Sequence, residues 1–450
     1  MFGKSKHVID PHLLLDKKMG CGASLEWWGG YQGTELNEAL TKHPVHGDSP
    51  VRLIDAKFII RLSESGGRFM RRQQLPESAF MSLPRLQSMT DVVNRRLAIV
   101  VVSHPWLQPD HPDPKGENLR RLANHLAQYR SRYTNVGVFL DFMSLHQKDA
   151  SGNRTEAEAA LFGLGLKSLS LWYSHPFIPI FKLTSLPEGY PRGFQFPAGI
   201  TPNTASYRDR GWCFFESSVG FFPKGENMHG FLLESFVADL GDAKTEDRSS
   251  APDSRPVRIQ PPLTPEDFCR QLEAKSFTSK KADLPTVSSL YKAAFQHRMS
   301  TIGELRWRGL GWGDAELLAA CKVLATAPLH RLYVLDLEDN EIGNAGLMAL
   351  AKAMTTMDAP TLVSINVGHE PGARVDPVSE RVVDAFVAAI RAGCTPELQG
   401  INLGPKHRKG TLEKALFHKD VQRALIDRGL LAGRTNLGVT RSMRLEQLNW

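Results

Sequence analysis

Two hydrophobic patterns alternate between about residues 95 and 240. LAIVVVSHPW (97–106) is an unbroken apolar run, as a strand buried on both faces requires. GENLRRLANHLAQYRSR (116–132) instead spaces Leu119, Leu122, Ala123 and Leu126 at helical intervals. NVGVFLDFMSL (135–145) predicts a second buried strand, and PFIPIFKL (176–183) a third. EAEAALFGLGLKSLSLWY (156–173) predicts a helix carrying two glycines, and the apolar stretch Tyr207–Phe221 a further helix. Strands separated by helices predict a parallel sheet covered on both faces. Residues 1–90 are mixed. There VRLIDAKFIIRL (51–62) reads as a strand or a short amphipathic element, and WWGGYQG (27–33) as a ligand platform or a cap on the neighbouring core. The central domain is placed at 91–240.

Residues 241–262 are polar, charged and proline-rich, which predicts a linker. A helical connector follows over 263–299. From 300 to 435 the chain repeats itself. LRWRGLGWGDAELLAA (305–320) aligns with LDLEDNEIGNAGLMAL (335–350) at an offset of 30, pairing Leu305 with Leu335, Leu310 with Asn340 and Leu317 with Leu347. LVSINVG (362–368) begins a third copy at the same offset and LQGINLG (398–404) a fourth after a longer interval. The pattern L-x-L-x-x-N-x-I-G-x-x-G, followed by an amphipathic helix, resembles the ribonuclease-inhibitor type of leucine-rich repeat. The first copy departs at Trp307 and Leu310, and GHEPGARVDP (368–377) interrupts the third. The resemblance implies a short arc of about four strand–loop–helix units. Residues 436–450 are a tail. The expected fold class is therefore α/β, with a flavodoxin-like parallel sheet plus a short repeat arc.

Composition narrows the setting. Over 450 residues the net charge is only +7, so neither nucleic acid nor anionic lipid is implied as a partner. Five scattered cysteines without a CxxC pair suggest no zinc site and no disulfide framework, which favours a reduced, cytoplasmic setting. No signal peptide is read at the N-terminus and no run reaches the roughly 18 apolar residues of a membrane span.

In open parallel sheets, ligands bind beyond the carboxyl ends of the strands. Three polar stretches follow the three predicted strands: 103–118, 141–149 and 184–210. On a parallel sheet these bring Ser103, His104, Trp106, Asp141, Gln147, Arg210, Trp212 and Glu216 to one rim. Glu216 lies in an otherwise apolar helix. It is either a partnered charge at the edge of a core, paired with Arg208 or Arg210, or a carboxylate held for chemistry.

SYRDRGWCFFE (206–216) resembles the Trp-Cys-x-x-Glu segment of Toll/interleukin-1 receptor (TIR) domains. VVVSHPW and VFLDFMSL are similar to that family's first two strands. The resemblance covers about 97–240. It implies that Glu216 is the catalytic residue of NAD glycohydrolysis, with NAD as a substrate, no resident cofactor, and Trp212, Ser103 and Asp141 shaping the pocket. The sequence departs from the family after the first strand, where a longer His/Pro-rich loop replaces an acidic pair. Fungal heterokaryon-incompatibility domains are a more distant likeness. Breaking the nicotinamide–ribose bond builds oxocarbenium-like charge, which a nearby carboxylate stabilises.

Other candidates have bland readings beside the chemical ones. Cys213 reads as a nucleophile or as core. His104, Asp110, His111 and Asp113 read as a metal cluster or as solvated loop residues. Glu234 reads as a second carboxylate, and PKHRKG (405–410) as a basic patch or a solvated edge. Two functions are carried forward. One is a signalling enzyme that hydrolyses NAD, binds a protein partner through the repeats and self-associates through the TIR-like domain. The alternative is a non-catalytic scaffold that self-assembles and recruits.

Overall fold

The computed structural model describes residues 31–82, 97–130, 135–175, 178–196, 198, 201–222, 237–241, 255–256, 259–369, 377–403 and 419–427. Trp27, Trp28, Glu234 and the 405–410 run lie outside them. The described residues form two compact units. One holds the residues up to Val102 together with Asp110–His175; the other holds Ser103–Pro109 and the residues from 178 onward.

In the first unit, helix α1 (Tyr31–Leu40) precedes strand β1 (Ile54–Asp55) and helix α2 (Ala56–Glu64). The 51–62 stretch is thus both a strand and an amphipathic helix, divided by Asp55, whose carboxylate accepts from Lys57 N at 2.9 Å and caps the helix. Strand β2 (Leu97–Ser103) runs parallel to β3 (Asn135–Phe139), and β1 pairs antiparallel with β3. The N-terminal region therefore completes this sheet. Helix α3 (Glu117–Tyr129) turns Leu119, Leu122, Ala123 and Leu126 inward. Phe139 stacks on Trp172 at 5.1 Å and meets Tyr173 edge-on at 6.5 Å.

Two expected elements are shorter than their apolar runs. The strand expected to Leu145 stops at Phe139, and helix α4 (Asp141–Ser144) makes one turn. Ser144 Oγ accepts from Leu140 N, and the Asp141 carboxylate from Phe142 N, which turns the backbone out of the ladder. The single helix expected over 156–173 is two, α5 (Glu156–Lys167) and α6 (Leu169–Ser174). Ser168 separates them, its hydroxyl donating to Gly165 O at 2.8 Å. Gly165 is required: a Cβ there would lie 2.6 Å from Leu145 Cδ2 and 3.1 Å from Pro50 O.

In the second unit, Ser103 ends β2 and its carbonyl accepts from Leu183 N, next to strand β4 (Ile180–Lys182). Helix α7 (Gly211–Gly220) follows a 3-10 turn at Tyr207–Asp209. The break at Arg210 departs from the continuous helix expected over 207–221. Arg210 is extended and bridges to Ser276, while Gly211 N donates to Ser276 O at 2.9 Å. Strand β5 (Val237–Asp239) pairs parallel with β4 and antiparallel with β6 (Arg255–Pro256), which falls inside the expected linker. The expected connector is helical, as α8 (Pro265–Glu273) and α9 (Lys280–Thr301).

Four strands then form one parallel sheet: β7 (Glu304–Arg306), β8 (Val334–Asp336), β9 (Ser364–Asn366) and β10 (Gly400–Asn402). Leu305 pairs with Leu335 and Leu335 with Ile365, offsets of 30, and Ile365 pairs with Ile401, the longer step. Helices α10 (Asp314–Thr326), α11 (Asn344–Met354) and α12 (Glu380–Ala392) alternate with the strands, and α13 (Lys419–Asp427) follows β10.

Two polar devices join successive units. Asn340 Oδ1 accepts from Leu310 N and Trp312 N, and its Nδ2 donates to Trp307 O and Leu337 O. An asparagine of this kind completes the loop of the preceding unit, which explains why the first copy carries Leu310 at that place. Asp314 Oδ1 accepts from Gly343 N at 2.7 Å and Gly346 N at 2.9 Å, and Asn344 Oδ1 accepts from Ser379 N at 2.8 Å. The α/β class with predominantly parallel pairing is as expected. Among the described residues no helix is long and apolar enough to cross a membrane.

Candidate functional site

Three side chains from separate segments of the second unit meet at the carboxyl end of β2. Ser103 Oγ donates to Glu216 Oε2 in a short hydrogen bond and lies 2.5 Å from the Tyr207 hydroxyl. Tyr207 in turn lies 3.2 Å from Ser217 Oγ. All of this is enclosed: Ser103 is 0% exposed, Tyr207 4% and Glu216 6%. Burial pushes the Tyr207 phenol well above its ordinary range, with Cys213 and Glu216 adding to the shift, so it stays a neutral hydroxyl.

Helix α7 presents Glu216 to this network because its other face is committed to core. Phe214 stacks on Phe268 at 5.1 Å, and Phe215 meets the same ring edge-on at 6.5 Å. Phe268 lies flat on Tyr291 at 3.7 Å, and Tyr291 donates to Leu263 O. The N-terminus of α7 is seated just as closely. A Cβ on Gly211 would fall 1.9 Å from the Phe277 ring, so glycine alone lets the two segments meet.

Lys182 approaches the network from β4. It is buried, and its cross-strand partner is Asp239. Its Nζ lies 4.7 Å from the Phe221 ring centroid and 6.0 Å from that of Tyr207. Burial lowers its pKa to about 8, opposed by the negative charges of Asp239 and Glu216. Asp239 has its own donors, Thr184 Oγ1 at 2.7 Å and Gly241 N at 2.9 Å.

The other expected residues separate into three groups. Arg210 does not pair with Glu216. Its guanidinium donates to the carbonyls of Trp106, Asn203 and Ala205, which ties Trp106 to it through the backbone. His104 is buried in the same 103–109 segment. Trp212 donates its indole N–H to the Asp283 carboxylate on α9 and stands edge-on to Phe215 at 6.2 Å. Asp141 and Gln147 belong to the first unit, where Gln147 Nε2 donates to the carbonyls of Asp141 and Leu145.

The weaker candidates have structural roles. Cys213 is buried in α7. His111 bonds to Phe69 O at 2.9 Å, and burial lowers its pKa to about 4. Asp113 caps α3 by accepting from Leu119 N. Among the described residues no group of three or more His, Cys, Asp or Glu side chains is placed to hold a metal.

Sequence reasoning missed Tyr207, Lys182 and Asp283 as parts of this arrangement. Lys182 left a signal, a single cation ending an otherwise apolar strand. Asp283 left none, since its role exists only through the packing of α7 on α9.

No protein-family model and no curated protein matches the chain. Among solved structures it is similar to one described as Leiomodin-1 Actin-Binding Site 2 (ABS2), at 12% identity and a TM-score of 0.22, covering 35% of this chain and 77% of that one. A TM-score that low carries no argument about fold or function.

Proposed function

We propose that the chain is a cytoplasmic signalling protein whose TIR-like domain cleaves NAD at the nicotinamide–ribose bond, with Glu216 as the catalytic carboxylate. One observation carries the reading. Glu216 accepts from Ser103 at the carboxyl end of β2, and Ser103 is in turn hydrogen-bonded to the Tyr207 hydroxyl, while the nearby Arg210 is engaged by backbone carbonyls. A carboxylate oriented by a buried serine at the strand end is placed to stabilise a developing oxocarbenium centre. Ser103 orients the carboxylate, and Tyr207 orients Ser103. Trp106 and Trp212 line the approach, with His104 and Arg210 fixing the loop.

The parallel strand–loop–helix units at 30-residue register support reading 300–435 as leucine-rich repeats. In this reading their strand-lined face binds a protein partner and gates self-association of the TIR-like domain.

The test is nicotinamide release from NAD by the purified full-length protein, at high concentration with a crowding agent. Glu216→Ala is run alongside, with its fold checked by circular dichroism. Release by the parent and none by the folded variant is the expected result. No release from an assembled, folded parent refutes it.

The near-complete burial of Glu216 favours a second reading, in which the domain self-assembles without chemistry and the Ser103–Glu216–Tyr207 network only fixes α7 to the sheet. Assembly that survives Glu216→Ala without any NAD turnover in the parent is its signature.

A further inference from the structure

Asn118 is the second residue of α3 and is 0% exposed. Neither its Oδ1 nor its Nδ2 has a hydrogen-bond partner among the described residues. Folded chains bond nearly all of their buried polar groups, because an enclosed amide that has given up water and gained nothing is destabilising. This chain does so elsewhere. Asn340 employs both ends of its amide, and the buried Arg72 donates to the carbonyls of Ser49, Pro50 and Ser144. Leucine has nearly the shape of asparagine, so packing alone gives no reason for an amide at this position.

Its place in the fold supplies one. Helix α3 connects the parallel strands β2 and β3, so it runs against them and its first turn lies at the carboxyl edge of the pair. Open parallel sheets bind ligands beyond that edge. Asn118 opens the buried face that Leu119, Leu122, Ala123 and Leu126 continue down the helix. Side chains on a helix lean toward its amino end, which aims the amide at the edge of the sheet. The loop before α3 meets the turn after β3 there, with the His111 ring 5.1 Å from that of Phe142. The carboxylate of Asp113, also enclosed, already occupies the helix start by accepting from Leu119 N at 2.8 Å. It would repel a second anion. An amide holds a donor and an acceptor side by side, and its complement is a neutral group carrying the same two in opposite order.

We propose that Asn118 is the recognition residue of a ligand site in the first unit, and that the ligand presents an N–H donor beside an acceptor, as a carboxamide or the edge of a nucleobase does. The site does not rest on the NAD-cleaving reading, which supplies only the choice of probes. Such a ligand satisfies both ends of the amide at once. The contact is selective, because an analogue lacking either group leaves Asn118 unpaired again.

The test is calorimetric titration of the full-length chain with nicotinamide and, separately, with adenosine, alongside thermal unfolding of the ligand-free protein. Binding of one of them by the parent is expected, and which one binds tells a carboxamide from a nucleobase. Asn118→Leu is expected to weaken that binding about tenfold or more and to raise the melting temperature of the ligand-free chain, because the unpaired amide is gone. A merely structural asparagine gives the opposite sign, and a lowered melting temperature overturns the proposal. A parent that binds neither probe also overturns it, since a water molecule then suffices for the amide. If Asn118→Leu does not fold, Asn118→Ala carries the binding arm. A loss of about tenfold or more then supports the site, and unchanged affinity overturns it.

The two readings fail separately. A parent that binds a probe but releases no nicotinamide from NAD leaves this site standing. A parent that cleaves NAD while Asn118→Leu leaves its probe affinity untouched loses only this site.

Discussion

Phe268 joins the helix bearing Glu216 to the connector, and removing it tests how α7 is held. Its ring is fully buried, stacked on Tyr291 and Phe214 and edge-on to Phe215. Phe268→Ala withdraws about 200 Å² of apolar contact, which at about 25 cal/mol per Å² sets an upper bound near 5 kcal/mol. Buried Phe→Ala changes cost about 3–5 kcal/mol, cavity included, and three lost ring contacts place this site toward the upper end. We expect that loss in urea denaturation followed by tryptophan fluorescence, since Trp212 stands 6.2 Å from Phe215 and reports on this cluster. Phe162→Ala is the reference. Phe162 is half-buried with the Arg154 guanidinium 3.6 Å from its ring centre, so its loss costs about 1 kcal/mol. If Phe268→Ala is no more damaging than Phe162→Ala, the connector does not seat α7 and the packing argument fails.

Asn340→Ala removes the five side-chain hydrogen bonds that close two successive loops, and we expect a loss of about 3 kcal/mol or more in chemical denaturation. Asp48 binds the buried Arg72 at 2.8 Å, and its carboxyl is held well below the usual range; burial opposes that shift, and His146 and Arg72 drive it. Its stabilisation is complete above the ordinary carboxylate range and is lost as pH falls below it, so Asp48→Asn flattens the acid limb of the stability profile. The cost of Asp48→Asn at pH 7 is about 2 kcal/mol, less than for a fully enclosed pair because Asp48 is partly exposed. His111 acts in the neighbouring window. Burial lowers its pKa to about 4, so the unfolded chain takes a proton first and stability falls from about pH 6.5 toward 4. His111→Gln removes that slope in pH-dependent melting curves.

The strands at 97–103 and 135–139, the helix at 117–129, the connector and the 30-residue register were legible because each rests on a local period. What failed did so for identifiable reasons. The Ser168 break depends on a side chain competing for a carbonyl within an unbroken apolar stretch. The kink at Arg210 depends on Ser276, 66 residues away along the chain. Ser103 and Glu216 could be nominated from residue type and position on the sheet, and the structure brings them together. Asp141 and Gln147 are brought to each other in a different unit. That Arg210 would not pair with Glu216 was not legible, because Arg210 is recruited by the carbonyls of Trp106, Asn203 and Ala205, and carbonyls leave no trace in a sequence.

The cap contributed by Asp314 lies one unit ahead of the helix it serves, and Asn344, 30 positions later, does the same for the residues opening α12. The array is therefore polarised. The starts of α11 and α12 are completed from the amino-terminal side, whereas α10 is closed by its own Glu316, which accepts from Gly313 N at 3.0 Å. A duplicated 314–343 block would bring an acceptor for its successor and find one waiting in its predecessor, so lengthening the arc by whole modules preserves every cap. Truncation is asymmetric: cutting from the carboxyl end leaves each remaining helix start complete, whereas cutting from the amino end exposes one with every module removed.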